Sequence, residues 1–149
     1  DYSKWVAYGQ SKLANLLFTY ELDRRLKQKD VDVESVGCHP GVSDTNLFKI
    51  GPKMEHSKLK LYLGKIFSKV LGQSPEKGCL PMLYAATSEE IEGGEYIGPD
   101  GFKTIRGNPE MQESSGASHD EEDAKKLWER SEQLVDKKFN IRQKYESHS

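Results

Sequence analysis

The stretch KWVAYGQSKLANLLFTYELDRRLKQKDVDVESVGCHPG, residues 4–41, reads as a long helix that leads into a strand and then stops on a Pro-Gly step. The helix is expected over about 4–29. Ser3 stands where an N-cap belongs, and Leu13, Leu16, Leu17 and Tyr20 follow the spacing of one buried face. Arg24, Arg25, Lys27 and Lys29 gather near its C-terminus, where cations suit the macrodipole and a solvated helix end is the plain reading. Val31 to Cys38 carries the β-branched residues of a strand and is ended by His39-Pro40-Gly41. Asp32 and Glu34 interrupt it, so it is not the unbroken apolar run of a strand covered on both faces.

Outward from this stretch, the loop HPGVSDTNL fills 39–47. A lysine-studded apolar region follows over about 53–72, with Leu59, Leu61, Tyr62, Leu63, Ile66, Phe67, Val70 and Leu71. Ser74-Pro75-Glu76 is a cap followed by proline at the first helical position, and a second helix should run to about Thr87. A short strand is expected over Glu95 to Gly98, after Gly93-Gly94, and an irregular segment from Pro99 to Ala117. The last helix, about 119–137, opens with a capping box from Ser118 to Glu121. Its inner face should hold Ala124, Leu127, Trp128, Ser131, Leu134 and Val135.

Helix–strand–helix–strand–helix is the order of a doubly wound, parallel α/β sheet, with Val31 to Cys38 parallel to Glu95 to Gly98. Two strands are too few to stand alone. The expectation is therefore the C-terminal half of a Rossmann-like domain, residues 1–149, whose N-terminal dinucleotide-binding half is absent and lies upstream. The sequence opens close to a helix start with no Met, in keeping with that.

Composition narrows the function by exclusion. The 22 basic and 24 acidic residues leave a net charge of -2, which offers no bulk attraction to nucleic acid or anionic membranes. No apolar stretch approaches the ~20 residues that span a bilayer, and no signal peptide is legible. Cys38 and Cys79 cannot form a disulfide framework and read as buried thiols in a reducing, intracellular compartment. His39, His56, His119 and His148 with the cysteines give no zinc spacing, so no metal is expected.

One pair carries chemistry. Tyr8 and Lys12, four residues apart, share a helix face. A phenol is a weak acid–base catalyst at neutral pH, its reference pKa being about 10, and a neighbouring ammonium favours the ionised form. Tyr and Lys at this spacing are common by chance, so the surroundings decide. AYGQSKLANLLF, Ala7 to Phe18, resembles the active-site helix of the short-chain dehydrogenase/reductase family, especially its retinol-dehydrogenase-like branch. CHPGVSDTNL resembles the Pro-Gly loop of that family. Gly93-Gly94-Glu95-Tyr96-Ile97 with Pro99 and Gly101 resembles its last strand, and KLWERSEQLV, Lys126 to Val135, its C-terminal helix. The resemblance covers nearly the whole chain, in family order.

The resemblance implies an oxidoreductase that uses NAD or NADP to interconvert an alcohol and a carbonyl on a small, mostly apolar molecule. Tyr8 is then the acid/base, and Lys12 holds the nicotinamide ribose hydroxyls and favours the phenolate. Pro40, Gly41 and Val42 match the loop whose backbone faces the nicotinamide amide, and Thr45 matches its cofactor-contacting hydroxyl. Residues 53–72 occupy the place of the substrate lid; contact with a membrane surface is the less favoured use of that segment. Helix one matches an element through which family members form homodimers. The departures are equally definite: no G-x-G-x-x-G turn is present, and the family's catalytic serine and structural asparagine would lie before Tyr8. Ser3 reads as a cap and Ser11 as a helix residue, neither as that serine. The competing expectation is a non-catalytic remnant or interaction module of the same fold.

Overall fold

The computed structural model describes residues 2–41, 73–101 and 104–140. The lid segment expected over 53–72, with Val42 and Thr45, lies outside them. In chain order the elements are α1 (Lys4–Gln28), β1 (Gly37–Cys38), α2 (Pro75–Gly78), α3 (Leu80–Thr87), β2 (Tyr96–Pro99), β3 (Pro109–Met111), a 3-10 turn (Gly116–His119) and α4 (Glu121–Val135). The strands form one sheet in the order β1-β2-β3. The chain divides into two compact units, Asp1–Gly37 with Glu90–Tyr96 and Glu113–Ser149, and Cys38–Glu89 with Ile97–Gln112.

In the first unit, α1 packs against α4 and the 3-10 turn, burying Leu17, Tyr20, Leu26, Ala124 and Trp128. Of the face expected on α1, Leu17 and Tyr20 are buried while Leu13 and Leu16 are half-buried. The first two turns carry no cover: Trp5 is 75% and Val6 59% exposed. Trp128 organises the packing. Phe18 stacks on it at 5.4 Å, Phe139 meets it edge-on at 5.7 Å, and the Arg25 guanidinium lies 4.4 Å from its ring centre. The basic end of α1 is thus not simply solvated. Arg24 and Arg25 both donate to the buried Glu21, and Lys27 bonds Asp23 and the carbonyl of Gly93. A buried carboxylate needs such partners, which is why the cations are drawn in.

The strand expected over 31–38 is shorter, because Val33 donates its N–H back to Val31 in a tight turn and Asp32, Val33 and Glu34 face solvent. Its end does pair in parallel with β2, as expected. The Gly37 N–H bonds the Glu95 carbonyl in the first unit, and the His39 N–H bonds the Ile97 carbonyl in the second. The sheet is nonetheless mixed. β3, in the segment expected to be irregular, runs antiparallel to β2 in the register Ile97↔Met111, Gly98↔Glu110, Pro99↔Pro109. Pro109 can open this strand because its missing N–H falls at the end of the ladder.

The helix expected over 74–87 is divided into α2 and α3 at Cys79. Pro81, placed one turn after Lys77, has no N–H to continue the ladder. Ser74 does cap α2, accepting from Lys77 N–H. At α4 the cap is Asp120, accepting from Asp123 N–H at 2.9 Å, and not Ser118. Ser118 lies buried in the preceding 3-10 turn, its hydroxyl donating to the Ser115 carbonyl. Leu134 and Val135, expected on the inner face, are 70% and 64% exposed because the helix ends in a left-handed turn at Asp136. The cysteines are not buried either: Cys38 is exposed on its two-residue strand and Cys79 is half-buried, although desolvation still pushes the Cys38 thiol up.

The chain after α4 is clasped by one carboxylate. Glu132 accepts from Lys138 Nζ at 2.8 Å, from Phe139 N–H at 2.9 Å and from Trp128 Nε1 at 3.2 Å. The hydrogen bond from Lys138, then that from the Phe139 backbone, hold its pKa down from the ordinary 4.5 to about 2. A carboxyl lowered on folding stabilises above its unfolded pKa and loses that contribution as pH falls through the folded value. The clasp is therefore expected to be complete above pH 4.5 and to open on acidification towards pH 2, which Trp128 fluorescence would follow. A flat fluorescence profile across that interval would speak against it.

Candidate active site

Tyr8 and Lys12 sit on the uncovered N-terminal half of α1. The i, i+4 spacing brings them together as expected, with Lys12 Nζ 5.3 Å from the centre of the Tyr8 ring. The ammonium lies over the ring face, a cation–π arrangement. Tyr8 is 45% exposed. Gly9 beside it has open space where a Cβ would stand. Ser11 donates its hydroxyl to the Tyr8 carbonyl at 2.7 Å, the back-bond of an ordinary helical serine.

In the second unit, Pro40 and Gly41 leave the end of β1. Gly41 has φ +64°, and a Cβ there would run into the Ile105 carbonyl oxygen and come within 2.8 Å of the Pro99 ring. Only glycine suits both the conformation and the space. The peptide that joins Pro40 to Gly41 is held at both polar ends by side chains. Gln73 Nε2 donates to the Pro40 carbonyl at 2.8 Å, and the Gly41 N–H donates to His39 Nδ1 at 3.2 Å. Gln73 Oε1 also accepts the Gly107 N–H at 3.2 Å. His39, half-buried at the strand end, also bonds Gln112 through Nε2 at 3.1 Å. Gln73 and Gln112 were not legible as site residues, since a single glutamine in a loop or at a short strand's end carries no periodic or motif signal.

Two hollows in the first unit lie away from these residues. One, of about 410 Å³, is ringed by Lys27, Asp30, Asp32, Glu34 and Glu92. The other, of about 370 Å³, is apolar and lined by Phe18, Leu22, Trp128, Val135 and Phe139. Among the described residues no group of three or more His, Cys, Asp or Glu could hold a metal, and no helix is long and apolar enough to cross a membrane.

The chain is homologous to the short-chain dehydrogenases/reductases, in their retinol-dehydrogenase-like branch. It is 39% identical to human retinol dehydrogenase 13 over 136 residues, 90% of this chain and 38% of that protein. It is 35% identical to human retinol dehydrogenase 14 over 140 residues, 91% of this chain and 37% of that protein. Mouse polyprenol dehydrogenase is 35% identical over 127 residues, 85% of this chain and 34% of that protein. The chain thus spans a little over a third of the length of these relatives. Among solved structures, an uncharacterized protein from Mycobacterium paratuberculosis matches with a TM-score of 0.64 at 32% identity, covering 95% of this chain and 42% of that one. No family model matches the sequence.

Proposed function

We propose that the chain is the C-terminal, proton-transferring half of an NAD(P)-dependent oxidoreductase that interconverts an alcohol and a carbonyl on a mostly apolar small molecule. The supporting observation is the Tyr8–Lys12 pair, in contact and open to solvent on α1, in a sequence whose relatives are dehydrogenases of retinol and polyprenol. In this reading Tyr8 Oη gives its proton to a carbonyl oxygen during reduction and takes it from an alcohol during oxidation. Lys12 keeps a positive charge beside the phenol in both directions and donates to the ribose hydroxyls of the dinucleotide. The nicotinamide, when bound, supplies or accepts the hydride. Gly41 begins the loop that faces such a ring, and its positive φ, with the Ile105 carbonyl and the Pro99 ring packed against it, admits glycine alone. Val42 and Thr45 complete the cofactor side, and residues 53–72 act as the substrate lid.

The expected result is that the complete protein oxidises long-chain apolar alcohols, or reduces the matching aldehydes, with NADH or NADPH absorbance as readout. Hydrophilic alcohols should be turned over far more slowly. A complete protein that binds neither dinucleotide would contradict the reading. It would favour instead an interaction module, for which the exposed Tyr2, Trp5 and Val6 at the start of α1 would be the contact.

A further inference from the structure

We propose that His39, oriented by Gln112, is a positioning residue that sets the Pro40–Gly41 peptide and so the start of the loop facing the dinucleotide. The inference rests on the oxidoreductase reading and names the device that holds its cofactor loop. The Gly41 N–H can only donate, so His39 Nδ1 accepts and carries no proton. His39 Nε2 is then the protonated nitrogen and donates to Gln112 Oε1 at 3.1 Å. That leaves the Gln112 amide nitrogen as donor to the Pro99 carbonyl, and the distance there is 2.7 Å. Every polar atom along the path from Pro99 through Gln112 and His39 to Gly41 is used in a consistent sense, and one imidazole tautomer alone permits it.

The path has room because of Gly98. A Cβ at that position would overlap the His39 ring and come within 2.6 Å of Gln112 Oε1. β2 therefore carries a bare backbone where the imidazole and the amide meet. β3 matters for the same reason: Gln112 follows Met111, the last residue of the strand that pairs with Ile97. The other end of the same peptide is fixed independently by the buried Gln73. A loop peptide normally satisfies its C=O and N–H with water. Here both belong to side chains, so the peptide plane is set before any ligand arrives.

The test is made in the complete enzyme with three variants and one spectroscopic readout. His39→Phe keeps a ring but leaves the Gly41 N–H without an acceptor. The KM for the dinucleotide should rise about tenfold, the usual scale for an orphaned donor. kcat should stay within about threefold, since Tyr8 and Lys12 are untouched. His39→Asn restores an acceptor near the Nδ1 position and should recover KM to within about threefold of the wild type. Gln112→Leu, which frees the ring to choose its tautomer, should fall between the two. Nitrogen-15 NMR of the unmodified enzyme should show His39 unprotonated at Nδ1 and protonated at Nε2. A proton on Nδ1 would overturn the proposal whatever the variants do. So would a His39→Phe enzyme that melts earlier but keeps its dinucleotide KM, or a His39→Asn enzyme no better than His39→Phe. Unmodified enzyme that binds no dinucleotide would instead remove the oxidoreductase reading on which the proposal stands.

Discussion

Replacing Tyr8 by phenylalanine in the complete enzyme should lower kcat by about 10²–10⁴-fold, the range set by losing a positioned acid–base group. The ring, and with it the surface over which Lys12 Nζ lies, is kept, so the dinucleotide Kd should move by less than about threefold. Lys12→Ala should differ in kind. In the proposed reading its ammonium serves both the phenol and the ribose, so turnover and dinucleotide affinity should fall together. Steady-state kinetics alongside direct titration separates the two patterns. Near-normal turnover of the phenylalanine variant at saturating dinucleotide would remove Tyr8 from the chemistry.

The second large effect concerns the 149-residue chain expressed by itself. It should bind NADH and NADPH more weakly than millimolar and show no turnover. Dinucleotide pyrophosphates are held by a Gly-rich turn at a helix N-terminus after a first strand, and this sequence contains no such turn. What it offers is Lys12 and the loop at Gly41. Contacts of that kind contribute roughly 1 kcal/mol each, against an association cost of at least about 4 kcal/mol. The same chain exposes Trp5, Val6, Phe18 and Val33, apolar surface that a complete domain would be expected to cover. Dye binding and a broad thermal transition should accompany the absence of affinity. Micromolar binding with a sharp transition would make the chain a self-sufficient module.

How much of this was readable beforehand varies from element to element. α1 was legible to within a residue at its end, because its apolar spacing is long and regular. The parallel contact of β1 with β2 followed from the strand–helix–strand order. What escaped were decisions taken by neighbours rather than by local pattern. The strand at 31–38 shrank to Gly37–Cys38 because Val31 and Val33 close a turn on each other. Pro81 divided a helix whose composition looked continuous. β3 exists only because β2 offers it an edge, and Pro109-Glu110-Met111 has no strand signature of its own. Arg24 and Arg25 looked like a solvated helix end until Glu21 was found buried beneath them. The Tyr8–Lys12 pair was visible as a spacing, whereas the hold of His39 and Gln73 on one peptide, and of Gln112 on His39, depends on residues far apart in sequence.

What is proposed above all is that Tyr8 and Lys12 serve a nicotinamide dinucleotide. The most direct measurement is a crystal structure of the complete protein with NAD(H) or NADP(H) bound. Lys12 Nζ should lie within hydrogen-bond distance, about 2.7–3.2 Å, of the nicotinamide ribose hydroxyls, with Tyr8 Oη facing the nicotinamide ring. A dinucleotide seated elsewhere, with Tyr8 and Lys12 still open to solvent, would contradict it.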